Sequence, residues 1–262
     1  MLGYKIRLLQ GMLYRRICRF IPVQMNIVEK MNIFLDSKYA IAHFAEIFAS
    51  RSYYPAIELF KQPPKSVLDL GASEGLFTLL VESHMRQRFP GFKVDYTLYE
   101  ANPQLMGKIK RNLHFADLHE GVHIYCGAVG KRSGMVDFGI CRELDCSSVR
   151  PFGHVVRYVQ IPYVDIEKNL LADGLDTPEL IKVDIEGSEV DFFENYVNLL
   201  SKTCVVVVEF HEINVTLDKW RDIVSKTGLQ LYAVTEQSGP TRSEILINDS
   251  NLSIHNSRCL DR

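Results

Sequence analysis

The apolar positions of the chain follow two rhythms, and the change between them divides it. At the start, Leu2, Ile6, Leu9, Leu13, Ile17 and Phe20 recur at steps of three and four, the spacing of one helix face. Lys5, Arg7, Arg15, Arg16 and Arg19 accompany them, and no acid occurs before Val23. Two readings of this basic amphipathic segment over 1–23 are open: contact with an anionic membrane surface, or packing on the domain or a twin subunit. Residues 32–60, with Phe34, Phe44, Ile47, Phe48, Tyr54 and Leu59, read as helical. Pro63-Pro64 ends them, because proline has no N–H to donate and restricts its predecessor. The pattern predicts an N-terminal helical extension over 1–62 and a main domain over 63–262.

Beyond Pro64, short apolar runs alternate with helical periods. Residues 66–70, 95–99, 122–126, 180–183 and 204–210 read as strands, and 229–234 and 244–247 as late ones. Residues 76–89, 103–115, 189–199 and 220–227 read as helices between them. Strands apolar on both faces and separated by helices specify an α/β fold with a mostly parallel sheet covered on both sides. The stretch 133–169 breaks the rhythm with two strand-like pieces, 135–140 and 155–161. It is a β insertion at the carboxyl edge of the sheet, where ligands bind, and is either a wall of the site or a surface excursion.

Composition narrows the class. The 262 residues are 47% apolar and 24% charged, enough to bury a core and too apolar for a disordered linker. Thirty basic residues against 32 acidic ones give a net charge of -2, so no global basic field favours a nucleic acid partner. The six cysteines form no Cys-x-x-Cys pair, so neither a zinc framework nor disulfides are expected. Free thiols and the lack of a long apolar run suggest a cytoplasmic protein, with the basic first segment allowing a peripheral place at the membrane face.

The strongest chemical signal is Asp69-Leu70-Gly71-Ala72-Ser73-Glu74-Gly75, an acid at a strand end followed by a glycine turn into a helix. Gly71 lets a ligand approach the backbone, and Gly75 lets the helix pack on the strand. A dinucleotide cradle needs G-x-G-x-x-G; here the spacing is G-x-x-x-G, and Glu74 would repel phosphate. An acid at this turn suits a ligand with an ammonium group and no phosphate, such as S-adenosyl-L-methionine. Glu100, 31 positions after Asp69, ends the next strand in Tyr99-Glu100-Ala101-Asn102, where a carboxylate accepts from both ribose hydroxyls. Gly127 and Ala128 end the third strand and leave room for a flat ring, or form a plain turn. Asp184 and Glu186 emerge beside the crevice in Lys182-Val183-Asp184-Ile185-Glu186-Gly187 and are candidate general bases. Glu209 and His211, two apart on a strand, share one face and are the second candidate pair, for substrate, a proton or a metal. No histidine spacing selects a metal, and no metal ligand is assigned.

These segments, in this order, resemble the FkbM family of methyltransferases, within the class I S-adenosylmethionine-dependent superfamily. DLGASEG, YEANP, AVG, IKVDIEGSEVDFFE and VVEFHE each look like a family block, and the likeness runs from about Tyr53 to Ile247. Ser73 departs from the asparagine common at that place. The resemblance implies a Rossmann-like seven-stranded sheet whose last strand is antiparallel. It implies an S-adenosyl-L-methionine site built on Asp69, Gly71, Ala72, Ser73, Gly75, Glu100, Ala101, Asn102, Gly127 and Ala128. The expected reaction is O-methylation of a sugar or glycan hydroxyl, with the proton taken by Asp184, Glu186, Glu209 or His211. A small non-sugar, lipid or protein acceptor, or a cofactor-binding scaffold without catalysis, are the competing readings.

Overall fold

The structure is a computed structural model that describes residues 23–28, 30–50, 52–141, 147–151, 154–212 and 215–257. The basic segment over 1–23 lies, but for Val23, outside the described residues. The chain then opens with a hairpin, β1 (Val23–Val28) and β2 (Met31–Leu35), paired antiparallel. This corrects the helical reading of residues from 32 onward. Met31, Ile33 and Leu35 are buried and Asn32 and Phe34 are not, a period of two. Helix begins only at α1 (Lys38–Phe44), where the Ser37 side chain accepts from the Ala40 amide and caps it. A π-helical turn over Ala45–Ala49 follows, closed by Ser50 N donating to the Ala45 carbonyl, and then α2 (Tyr54–Glu58).

Five parallel strands form the centre of the main sheet: β3 (Ser66–Leu70), β4 (Asp95–Glu100), β5 (Val122–Cys126), β8 (Leu180–Val183) and β9 (Val205–His211). Two late strands, β10 (Gln230–Ser238) and β11 (Thr241–Ile247), complete the order β10-β11-β9-β8-β3-β4-β5. The last strand, β11, inserts between β9 and β10 and pairs antiparallel with both. The sheet is therefore seven-stranded, mostly parallel and Rossmann-like, as expected. The chain moves outward from β3 to β4 and β5, then returns to the other side of β3 through β8. Open α/β sheets bind ligands where the order reverses in this way.

Alternate side chains along each strand go to opposite faces. Val67, Val205 and Val207 join one apolar cluster, and Leu68, Leu70, Val206 and Val208 join another. The first cluster packs on α3 (Leu76–Arg88), through Leu79 and Leu80, and on α4 (Met106–Phe115), through Ile109 and Leu113. The second packs on α5 (Ile166–Ala172), α6 (Glu189–Asn195), α7 (Val197–Leu200) and α8 (Leu217–Ser225). Trp220 anchors it, stacked on Phe210 at 4.4 Å. A final helix, α9 (Asp249–Ser257), sends Leu252 into the first cluster.

That first cluster also holds Met31, Ile33, Leu35, Ala40, Ile47, Ala56 and Ile57. Residues 23–62 thus share the core of the main domain, and the Pro63-Pro64 boundary separates no second core. The insertion within 133–169 contains the hairpin of β6 (Met135–Cys141) and β7 (Val155–Pro162), with a small core of its own around Phe138, Ile140 and Ile161.

Candidate active site

The site is built where β3, β4, β8 and β9 end. Asp69 and Lys182 are register partners across the parallel β3–β8 pair. Each is a lone charge in an apolar strand, 1% and 4% exposed, and their charged atoms lie 3.6 Å apart. Lys182 Nζ also donates to the Gly71 carbonyl at 2.6 Å and lies 3.5 Å from Asp184. Burial alone would lower the lysine pKa, but Asp184, Asp69 and Glu209 outweigh it and hold the ammonium charged. Asp69 spends its other oxygen on the Thr78 hydroxyl at 2.9 Å. The pair stiffens the turn from beneath. At Gly71, with φ 72, a Cβ would stand 1.8 Å from the Asp184 carbonyl oxygen, so only glycine lets the two strand ends approach.

Two spaces meet above this turn. The first, about 700 Å³, is lined by Ser73, Glu100, Ala101, Asn102, Gly127 and Ala128, with Leu105, Val129 and Phe138 as apolar walls. Glu100 is buried at its rim. One carboxylate oxygen accepts from Ser73 N and the other from Asn102 N, each at 2.7 Å. Burial pushes its pKa up to about 7. The second space, about 850 Å³, is lined by Glu46, Ile47, Ala72, Phe77, Lys182, Glu209, His211 and Thr241. His43, Gly71, Ser73, Asp184 and Glu186 line both and form the shared wall.

The second space is crowded with acids. Glu46, Asp184, Glu186 and Glu209 face it, against Lys182 and His211. Burial and the Asp184 charge raise Glu186 to about 9 and Glu209 to about 8. His211 moves the other way for its class: burial would lower it, but Glu189, Glu186 and Asp184 raise it to about 10. Groups so displaced from their ordinary values, side by side in a cleft, make this a candidate reaction site. His43 and Ser73 meet across the wall, Nδ1 to Oγ at 3.2 Å.

A family model described as the methyltransferase FkbM domain matches residues 69–231, more than half of the chain. The chain belongs to the FkbM methyltransferase family. It is an enzyme, an S-adenosylmethionine-dependent methyltransferase. Among characterised relatives, the 2-O-methyltransferase NoeI of Sinorhizobium fredii (strain NBRC 101917 / NGR234) is 24% identical over 172 residues, 60% of this chain and 67% of that protein. Solved structures of similar outline include the precorrin-6y C5,15-methyltransferase of Geobacter metallireducens GS-15. It is 15% identical, with a TM-score of 0.44 over 74% of this chain and 85% of that one. TrmK of M. capricolum, in complex with S-adenosyl-homocysteine, is 8% identical, with a TM-score of 0.44 over 77% and 69%.

The first space of this FkbM-family chain fits the cofactor. Each Glu100 oxygen keeps a lone pair beyond its amide bond, enough to accept from a ribose diol. Asn102 Nδ2 and Ser188 Oγ are buried there without a hydrogen-bond partner, donors that a purine or ribose would satisfy. At Gly127 a Cβ would meet Val164 at 2.6 Å, so the floor under a flat ring is already closed by packing.

The residues expected from the sequence divide. Gly71, Ser73, Glu100, Ala101, Asn102, Gly127 and Ala128 line the first space, and Asp184, Glu186, Glu209 and His211 line the second. Three of the expected cofactor residues do not line the first space. Asp69 lines neither space: Thr78 donates to one of its oxygens and the Lys182 ammonium lies 3.6 Å from the other, so it supports the turn. Gly75 faces neither; its φ of 79 opens α3 in the left-handed region, and a Cβ there would meet nothing closer than 3.7 Å. Ala72 lines the second space only. Lys182, His43, Glu46 and Ser188 escaped the sequence reading. Lys182 had a signal, a lysine inside a strand of apolar residues, which demands a buried acid. His43 and Glu46 had none, because only the folded chain brings the N-terminal segment over the sheet edge.

Proposed function

We propose that the protein transfers a methyl group from S-adenosyl-L-methionine to a hydroxyl oxygen of a neutral sugar or related polyol. The supporting observation is the shared wall: a space carrying Glu100, Asn102 and Gly127 and an acid-lined space open onto the same Gly71, Ser73, Asp184 and Glu186. A donor in the first and an acceptor in the second meet there, the in-line approach that methyl transfer needs. When bound, the cofactor supplies an electrophilic methyl on a sulfonium. The chain's task is to orient the hydroxyl and take its proton. Glu209 suits that task. It lines the acceptor space alone, and with its pKa raised to about 8 its ionised form, which predominates only above that pH, is a stronger base than an exposed carboxylate. With the methyl passing to the hydroxyl oxygen and its bonding pair staying on the sulfur, Glu209 would take the hydroxyl proton.

The acid-rich lining disfavours phosphate or carboxylate near the reacting oxygen. The likeness to a 2-O-methyltransferase favours oxygen over nitrogen as nucleophile. The test is incubation with radiolabelled methyl donor and acceptors in three arms: neutral oligosaccharides, sugar phosphates and amino-group acceptors. The expected result is alkali-stable label on the neutral arm, as a methyl ether gives. Label found only on amines, or released by mild alkali as from a methyl ester, would overturn the reading.

A further inference from the structure

Three ligand-bearing side chains converge at the wall between the two spaces. One atom each of Asp184, Glu186 and His211 lies within 4.8 Å of the others. His211 ends β9 and is only 9% exposed. Its Nδ1 sits 3.3 Å from Glu189 Oε1. That oxygen also takes the amides of Ile185 at 3.3 Å and Gly187 at 3.0 Å, and Glu189 is almost wholly buried. A carboxylate fixed by two amides anchors the Nδ1–H and turns Nε2 toward the chamber, where a cation would replace the proton that the surrounding acids otherwise hold on the ring. This is the outer-sphere arrangement that orients a metal-bound histidine.

Nε2 makes no hydrogen bond; Glu186 Oε2 lies 3.4 Å away and Glu209 Oε1 3.6 Å. Asp184 Oδ1 and Glu186 Oε2 are buried atoms that also lack a hydrogen-bond partner. Such orphaned acceptors are costly unless something cationic completes them. Glu186 moreover holds φ at 53, a left-handed backbone that a residue with a Cβ adopts at a cost. Its carboxylate oxygen lies 3.4 Å from the histidine Nε2.

We propose that Asp184, Glu186 and His211 bind a divalent cation at this wall. The proposal rests on the methyltransferase reading for its use, but not for its geometry. Two carboxylate oxygens and one imidazole nitrogen form a mixed oxygen and nitrogen set that suits Mn²⁺ or another first-row divalent ion. Neighbouring ligands on such an ion stand about 3 Å apart, given bonds near 2.1 Å. The pair Glu186 Oε2 and His211 Nε2, at 3.4 Å, is close to that already. The remaining positions of the ion face the acceptor space, where two adjacent hydroxyls of a polyol would complete them. A hydroxyl held on the ion gives up its proton more readily, and Glu209 stands beside it to receive it.

Mn²⁺ is the probe, titrated into the whole protein and followed by electron paramagnetic resonance. One ion per chain is expected, with the nitrogen modulation of a single imidazole in the pulsed spectrum. His211→Gln should weaken Mn²⁺ binding by about tenfold or more and abolish the modulation. It should leave S-adenosylhomocysteine affinity unchanged, since His211 does not line the cofactor space. Bound Mn²⁺ without imidazole modulation in the unaltered protein overturns the proposal, whatever the variant does. A protein that binds S-adenosylhomocysteine but takes up no Mn²⁺ at millimolar concentration overturns the cation site alone. One that binds neither overturns the cofactor reading with it.

Discussion

Two buried acidic clusters sit on neighbouring strands of the same sheet and are treated in opposite ways. Glu244 on β11 is 0% exposed and fully matched. Arg221 forks onto both its oxygens at 2.6 and 2.8 Å, Arg242 adds a bond at 2.6 Å, and Trp220 Nε1 a fourth at 3.1 Å. Its register partner on β9 is Val208, one residue before Glu209. Yet Glu209, Glu186 and Asp184 crowd one another around His211 and Lys182, with carboxylate atoms left unbonded. The first cluster cements α8 to the sheet. The second, on the function proposed, holds its unpartnered oxygens for a ligand. Burial of an acid is thus no sign of function by itself; the sign is burial without partners.

The sharpest way to break this contrast is at Lys182, which belongs to both kinds. Lys182→Met leaves Asp69 buried and unpaired, and stability should fall by about 4 kcal/mol, read as the denaturant midpoint. Combining it with Asp69→Leu should restore much of that loss; no recovery would mean that the pair is not the source. Glu244→Gln is the structural counterpart. It should cost about 3 kcal/mol of stability and leave methyl transfer within a few fold when assayed well below the melting temperature. Glu209→Gln should do the reverse. Turnover should drop by about 100-fold or more, while the melting temperature holds or rises as repulsion among the acids is relieved. Equal losses of stability in the two variants would erase the distinction drawn between the clusters.

The smallest effect concerns Glu100. Its folded pKa is raised to about 7 by burial, above its unfolded value, so the carboxylate form grows only as pH climbs through that point. A ribose diol donates to the ionised form. Affinity for S-adenosylhomocysteine should therefore rise about tenfold from pH 6 to pH 8 and then level. The ligand-free protein should lose stability over the rise from the ordinary glutamate range to about 7, because the folded state resists ionising this group. Titration calorimetry across that range checks both signs, and a flat profile in the wild type would remove Glu100 from the diol.

Much of this was legible in the chain. The core strands are plain because both faces are apolar; Glu100 stands at a strand end, and Asp184 and Glu186 follow one just before Gly187. The hairpin of β1 and β2 was not, for a physical reason. Phe34, on the less buried face of β2, is stacked against Phe115 at 5.6 Å and covered by the Arg111 guanidinium at 4.4 Å. An apolar residue on each face hides the period of two and mimics a helix. The place of Asp69 is harder to read, because an acid at a strand end looks the same whether it faces a ligand or the lysine one strand away. The register of β3 against β8 decides that, and the strand sequences SVLDL and LIKV, aligned by their lone charges, already contained it.

Asn112 has a consequence of its own. From α4 its side-chain amide donates to the carbonyl of Glu74 in the glycine turn, and its oxygen accepts from the amide of Phe34 in β2. One side chain thus fastens the opening hairpin to the cofactor turn, while His43 and Glu46, a few residues further on, roof the acceptor space. The span that defines the family begins only at residue 69. A protein trimmed to that span would keep every hallmark of its kinship and forfeit the ceiling under which the chemistry takes place.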